Sequence, residues 1–386
     1  MNLRSVCSAA SGSLVTGAAL LATAGALRAL PPEPKYDVLV PLKPENVSLG
    51  YFPYDLAPIL TVKSGTTVKI NGGGGARWGD ADPATWLKEN GFKETLQDTP
   101  AFAETIAAQK TTRRAPPAPP PPGMAAAASG GGGHMLVGPI AIEGAEPGDS
   151  IEIRILDVRP RIPYGSVSTS PGRGGIPDLV PRPFAQVVRL DTKRDVAIYE
   201  EGVEVPLRPF MGVMGLQPSD EERPLRRSSA PGNFGGNLDL KELTNGSTLY
   251  LPVFQKGGLF YTGDSHAAQG DGEVTISAVE TANSCVLQFV LHKGKTLKNP
   301  RAENPTHFIA IGLDPDLNKA MRQAITEGIS YIGEINGYDF LKAFTLSSIG
   351  VDFRVTQVVD GTQGIHGMIP KAMFKKKTFP YWYQAP

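Results

Sequence analysis

Apolar and polar side chains alternate with a period of two through much of this chain, and glycine turns punctuate the alternation. Ser64-Gly65-Thr66-Thr67-Val68-Lys69-Ile70, Pro147-Gly148-Asp149-Ser150-Ile151-Glu152-Ile153 and Asn245-Gly246-Ser247-Thr248-Leu249-Tyr250-Leu251 share one order: a glycine turn, small polar residues, then an alternating run. Each predicts a turn entering a strand. Their irregular spacing indicates repeated hairpin construction rather than a solenoid of fixed period. Helical spacing arrives late. Asp316 is placed to cap a helix in which Leu317, Ala320, Met321, Ala324 and Ile325 share one face, with Gly328 at its end. A second helix is predicted from Asp339 to Ser347. Val351, Phe353 and Val355 then alternate with Asp352 and Arg354, which returns the chain to strand before a turn at Asp360-Gly361. The pattern as a whole predicts a mainly β fold with a small C-terminal α/β portion.

Composition narrows the function classes. The 44 glycines and 35 prolines of the 386 residues suit many turns. Lysine plus arginine (38) balances aspartate plus glutamate (38), so the footprint of a nucleic-acid binder is missing and a small neutral partner is expected. Two cysteines, Cys7 and Cys285, exclude a disulfide framework and a cysteine-based zinc cluster. Cys285 sits in an alternating run with Val286, Phe289 and Val290, which gives it a buried structural role rather than that of a nucleophile.

Residues 1–30 read as a targeting segment, with Arg4 ahead of an apolar stretch from Leu14 to Leu27 and no acid. Ala22-Thr23-Ala24 has the small-x-small form of a signal-peptide cleavage site, which predicts a secreted or periplasmic protein, an organelle transit peptide being the alternative. That leaves residues 31–386 as one functional unit, with no membrane contact after the leader is removed. A Pro/Ala/Gly-rich insertion at 115–133 reads as an exposed loop or linker.

Three constellations carry candidate chemistry. In Gly263-Asp264-Ser265-His266-Ala267-Ala268-Gln269-Gly270-Asp271-Gly272-Glu273, three glycines allow close approach of the backbone to a ligand. Asp264 and His266, two apart on an extended chain, point to the same side and suit one metal ion. An ordinary Asp/Gly turn with a hydrogen-bonded histidine explains Asp-x-His equally well. The second constellation contains His134, for which a solvated loop histidine is the plain alternative, and Glu143 at the end of an apolar strand, where burial would fit it for proton transfer. The third is Gly235-Gly236-Asn237-Leu238-Asp239. Asn237 is a candidate donor to a substrate carbonyl, and Asp239 either binds metal or caps the segment that follows it.

The order and content of these blocks resemble the acetamidase/formamidase family. The strongest match is Gly263-Asp264-x-His266-Ala267-Ala268-Gln269-Gly270-Asp271-Gly272-Glu273. It is supported by Gly138-Pro139-Ile140-x-Ile142-Glu143-Gly144-Ala145-Glu146-Pro147-Gly148-Asp149, Pro300-Arg301-Ala302-Glu303-x-Pro305-x-His307 and Asp352-Phe353-Arg354-Val355-Thr356-Gln357-Val358-Val359. The resemblance covers roughly Tyr51 to Phe374. It implies a β-rich fold of that family, hydrolysis of short amides to carboxylate and ammonia, a homo-oligomer, and metal in the site. Ser265 stands where the family usually has glycine, and Val137 where it commonly has threonine. Ser265 therefore narrows the pocket or adds a hydrogen bond.

The expectation that follows is a divalent ion, zinc or calcium, held by Asp264 and His266 with His134 or Asp239. Glu143 and Asp271 are the catalytic carboxylates, and Asn237, Ser265 and Gln269 bind substrate. A metal-free version would use Glu143 with backbone donors from the glycine turns. The rival from another class is a secreted protein that captures a small polar ligand on the same fold without turning it over.

Overall fold

A computed structural model describes residues 32–74, 82–116 and 133–375. The leader, Cys7 and nearly all of the Pro/Ala/Gly-rich insertion lie outside the described residues. The alternating runs become strands as expected, over Thr67–Asn71, Ser150–Pro160 and Thr248–Pro252. They belong to a nine-stranded sheet whose order is Val38–Val40, Thr67–Asn71, Asn283–His292, Ser150–Pro160, Thr248–Pro252, Arg301–Glu303, His307–Asp314, Gln363–Pro370 and Asp352–Gln357. A second sheet runs in the order Gly235–Asn237, Phe210–Gly215, Phe260–His266, Met135–Ile142 and Val47–Leu49, with Leu60–Val62 added in parallel to Met135–Ile142.

The two sheets share the main core. Val68, Ile70, Ile151, Ile153, Leu249, Leu251, Cys285 and Leu287 from the first are buried with Val137, Ile140, Met211, Met214 and Phe260 from the second. Side chains alternate across each strand, so this shared apolar face leaves the other face of each strand free for helices, loops or polar chemistry. Cys285 is fully buried in that core, and burial first, then Asp157, pushes its thiol up to about 12. It is a packing residue. Cys285→Ser should lose about 1–3 kcal/mol through an unsolvated hydroxyl. In urea melts beside turnover per folded molecule, only the melting midpoint should move; inactivation of a well-folded variant would return the thiol to the chemistry.

Four α-helices lie among the described residues: α1 (Pro83–Glu89), α2 (Pro100–Ala108), α3 (Leu317–Asn336) and α4 (Phe340–Gly350). α1 and α2 pack Leu87, Ala101 and Phe102 around Tyr164, in a small separate core at the base of the Tyr164–Thr169 strand. α3 starts as the sequence predicts, with Asp316 Oδ1 accepting from the Asn318 and Lys319 amides at 2.8 and 3.4 Å. It does not stop at Gly328. Ile329, Tyr331 and Ile332 continue the apolar face onto Phe308 and Ala310 of the sheet, and burial of that size outweighs the roughly 1 kcal/mol that a mid-helix glycine costs. The true end is Gly337 at φ 67°. α4 begins one residue after Asp339, whose carboxylate accepts from the Lys342 amide at 2.9 Å. The outcome is the expected one: mainly strand, with an α/β portion near the C-terminus.

Candidate functional site

Six segments distant in sequence meet at one end of the strands of the second sheet. The Phe260–His266 strand lies between Phe210–Gly215 and Met135–Ile142, with Phe210 opposite His266, Val213 opposite Gly263 and Leu136 opposite Gly263 on the other side. This register sets Gly212 across from Asp264 and brings His134, just before its strand, to the same place. Asp239 follows the Gly235–Asn237 strand and is tied to Gly212 by its amide, at 3.2 Å to the carbonyl. Glu273 and Glu280 come from the loop after the central strand, Glu280 forming a backbone bridge with His266. Asp360 enters from the turn between the last two strands of the large sheet.

The backbone is bent to make this possible. Asp239, Asp264, Glu273 and Asp360 have φ of 46°, 56°, 43° and 59°, all in the left-handed region, and they are four of the seven non-glycine residues with positive φ among the described residues. Such conformations cost on the order of 1–3 kcal/mol each and persist where surrounding structure imposes them. The Asp264/His266 pair therefore does not meet by regular strand alternation. It meets across a left-handed kink, with Asp264 Oδ2 3.3 Å from His266 Nε2.

Two imidazoles are aimed at one carboxylate. His266 Nδ1 is 3.0 Å from Gln269 Oε1, and Gln269 is itself fixed by donating from Nε2 to the Asp239 carbonyl at 2.7 Å. His134 Nδ1 is 3.2 Å from the Ser228 carbonyl. Both oxygens can only accept, so each ring carries its proton on Nδ1 and turns Nε2 inward. Those Nε2 atoms lie 3.3 and 3.8 Å from the same Asp264 Oδ2. Glu280 Oε2 is 3.4 Å from His266 Nε2, and Asp239 Oδ1 is 3.8 Å from its Nδ1.

Burial governs the charges. It raises Asp239 well above the usual carboxylate range, helped by Glu273 and Asp264, and raises Glu273 likewise against the pull of His266. Burial also opposes ionisation of Asp264, but the His134 and His266 rings outweigh it and hold this carboxyl low. Asp360 is pushed up to about 6, by burial and by Asp264 against His134. Burial disfavours a charge on His266, yet Glu280 and Asp264 raise its pKa well above the ordinary imidazole value.

This donor set fits a divalent cation. Neither carboxylate oxygen of Asp239, 1% exposed, has a hydrogen-bond partner among the described residues, which is costly unless a cation or proton answers it. Two ligand sets share His266: Asp239, His266 and Glu273 on one side, and Asp264, His266 and Glu280 on the other. A Cβ added at Gly212 would collide with Asp239 Oδ1 and stand 2.7 Å from Asp264 Oδ2 and 3.0 Å from His266 Cε1. The glycine leaves the space on which these groups converge. A cation there would answer the same carboxylates that now favour a proton on His266, and hydrogen-bonded Nδ1 with inward Nε2 is the usual arrangement of a ligating histidine.

The structure thus brings together all four sequence-predicted ligands, His134, Asp239, Asp264 and His266. It reassigns the others. Glu143 is exposed, one residue beyond the end of the Met135–Ile142 strand. His134 is at the opposite end, about 30 Å away along nine residue steps of about 3.3 Å each. The apolar pattern stops at Ile142, so the expected burial of Glu143 does not occur. Asp271 is also exposed and ion-paired with Lys241 at 3.0 Å. Asn237 Nδ2 is already engaged, donating to Asp360 Oδ2 and the Ser229 carbonyl at 3.1 Å each, and so positions a carboxylate. Gln269 orients His266. Ser265 faces the opposite side of its strand, with its hydroxyl 3.9 Å from Met211 Sδ, and lines the adjoining cleft. Glu273, Glu280 and Asp360 were missed as site residues. Glu273 lay inside the glycine-rich block, and the positive-φ turn at Asp360-Gly361 was the only local signal for Asp360.

A cleft of about 630 Å³ opens onto the centre, with His134, Asp264, Ser265 and Glu280 in its wall. A model of the acetamidase/formamidase family matches residues 128–226 and 222–376. A formamidase from Methylophilus methylotrophus is 28% identical over 304 residues, 59% of this chain and 73% of that protein. An acetamidase from Mycolicibacterium smegmatis is 27% identical over 220 residues, 42% of this chain and 54% of that protein. The crystal structure of an acetamidase from Bacillus halodurans superposes with a TM-score of 0.68 at 26% identity, covering 87% of this chain and 99% of that one.

Proposed function

We propose, on the premise that this chain belongs to the acetamidase/formamidase family, that it is an amidohydrolase cutting the C–N bond of a linear amide to give a carboxylate and ammonia. The observation that carries the chemistry is the pair of inward Nε2 atoms, on His134 and His266, facing Asp264 Oδ2 at 3.8 and 3.3 Å. Asp239, Asp264, His134 and His266 would hold a divalent ion. Two imidazoles among carboxylates favour zinc or another nitrogen-accepting metal over calcium, which prefers oxygen alone. Such an ion would supply Lewis-acid polarisation of the amide carbonyl.

The chain's own residues supply the rest. Amide resonance makes both attack by water and departure of nitrogen difficult, so a proton must leave the one and reach the other. Glu280 is placed for this. Its Oε1 accepts from the Ala278 amide at 3.0 Å, which fixes the side chain, while the carboxylate lines the cleft beside His266. It can take a proton from water in the cleft and return it to the amide nitrogen. The glutamate of the mechanism is thus Glu280 in place of Glu143.

Ammonia release from a panel of short amides, with and without a chelator, tests the reading. Turnover that a chelator abolishes and added zinc restores is the expected result. Chelator-resistant turnover would remove the metal, and binding of amides without any ammonia would favour a capture protein on this fold.

A further inference from the structure

We infer that the substrate carries a carboxylate several bonds from its C–N bond, received by Arg173 and Arg114 at the outer end of the cleft. This rests on the amidase reading above and deepens it. Formamide and acetamide have a handful of heavy atoms, whereas 630 Å³ lies inside the range of about 300–1,000 Å³ that encloses much larger ligands. The space beyond the reacting centre therefore has something else to hold.

Its lining says what. The carboxylates in the wall, Asp264 and Glu280, both belong to the reacting centre, and the remaining charged side chains are Arg114 and Arg173. Both arginines are exposed, so the cleft is acidic at its buried end and basic at its mouth. Neither guanidinium has a carboxylate partner among the described residues; Arg114 Nε donates to the Thr111 carbonyl at 3.1 Å, which leaves its terminal nitrogens. Arginine forks match a carboxylate's two oxygens. Ser168, Thr169 and Ser170 line the same stretch and offer hydroxyl donors.

These groups are held in place. Ser166 is bridged to Glu280 through both backbone amides at 2.9 Å, so the strand carrying Ser168 and Thr169 leads directly away from the reacting centre. The loop that follows is pinned by the Arg173 amide to the Ser170 carbonyl at 3.1 Å and the Gly175 amide to the Val274 carbonyl at 2.8 Å. Arg114 follows α2, and its neighbours are fixed to Leu49 by two backbone hydrogen bonds of 2.8 Å. An amide group at the buried end and a carboxylate at the mouth satisfy both ends of one cleft.

The test compares glutaramate, the monoamide of a five-carbon dicarboxylic acid, with pentanamide, its neutral counterpart of equal chain length. kcat/KM should favour glutaramate by about tenfold or more, the scale of one hydrogen bond to a charged group. In Arg173→Gln and Arg114→Gln the glutaramate-to-pentanamide ratio should fall toward one, and Arg173→Lys should recover part of it. Pentanamide hydrolysed as well as glutaramate, or a ratio unchanged in both glutamine variants, would overturn the inference while leaving amide hydrolysis intact. If no amide releases ammonia, the amidase reading fails by itself, and calorimetry with glutarate decides the anion end: binding lost in Arg173→Gln upholds it, and no binding to the unaltered protein sinks it.

Discussion

His266→Ala should lower kcat/KM for a short amide by at least about a hundredfold, the scale of removing one group that stabilises transition-state charge, and should strip the protein of tightly bound metal. The ring is common to both ligand sets, is fully buried, and is locked by Gln269 at 3.0 Å. Its loss also leaves Asp239, Asp264 and Glu273 facing one another with less positive charge among them, which raises the cost of keeping any of them ionised. Metal analysis, ammonia release and circular dichroism on the same preparations read the effect. Glu143→Gln, changed at the far end of the strand, should stay within about twofold of the parent, as surface substitutions usually do. Lost activity with retained metal would move His266 from ligand to proton carrier. Near-normal activity in His266→Ala would place the reaction elsewhere.

Gly212→Ala is the smallest change expected to have an effect of similar size. The new methyl group would meet Asp239 Oδ1, Asp264 Oδ2 and the His266 ring edge at once. These atoms belong to short, buried side chains on imposed backbone, so they have little room to yield, and overpacking of this kind costs about 1–3 kcal/mol. The loss should appear first in the centre: metal affinity and turnover fall by about a hundredfold, the factor that about 3 kcal/mol represents, while the sheets remain folded. A variant that binds metal and turns over normally would show that the ion does not occupy the space above Gly212.

Much of the architecture was legible because it follows from local pattern. Val68 and Ile70, or Leu249 and Leu251, alternate cleanly with residues that face away from the core, and Asp316 caps α3 as its position suggests. Gly328 misled because a helix packed on a sheet keeps its apolar face across a glycine that would end it in isolation. At the site, sequence blocks supplied His134, Asp239, Asp264 and His266 but could not rank the carboxylates. Glu143 looked buried from its apolar neighbours, yet the strand ends at Ile142; Glu280 carried no local signal, and its backbone bridge to His266 brings it inward. Such choices depend on pairing between segments distant along the chain, and period-two alternation carries no information about partners.

Asp360 gives the centre a position in the life of the molecule. The cluster begins with His134, and its last carboxylate, Asp360, comes from the turn between the paired Asp352–Gln357 and Gln363–Pro370 strands and is held by Asn237 at 3.1 Å. A growing polypeptide folds from its N-terminal side during synthesis, and contacts of long sequence separation form late. The nascent protein therefore holds an incomplete cluster until these two strands have emerged and paired. By the same logic, trimming the C-terminal α/β portion removes a corner of the candidate centre along with two helices.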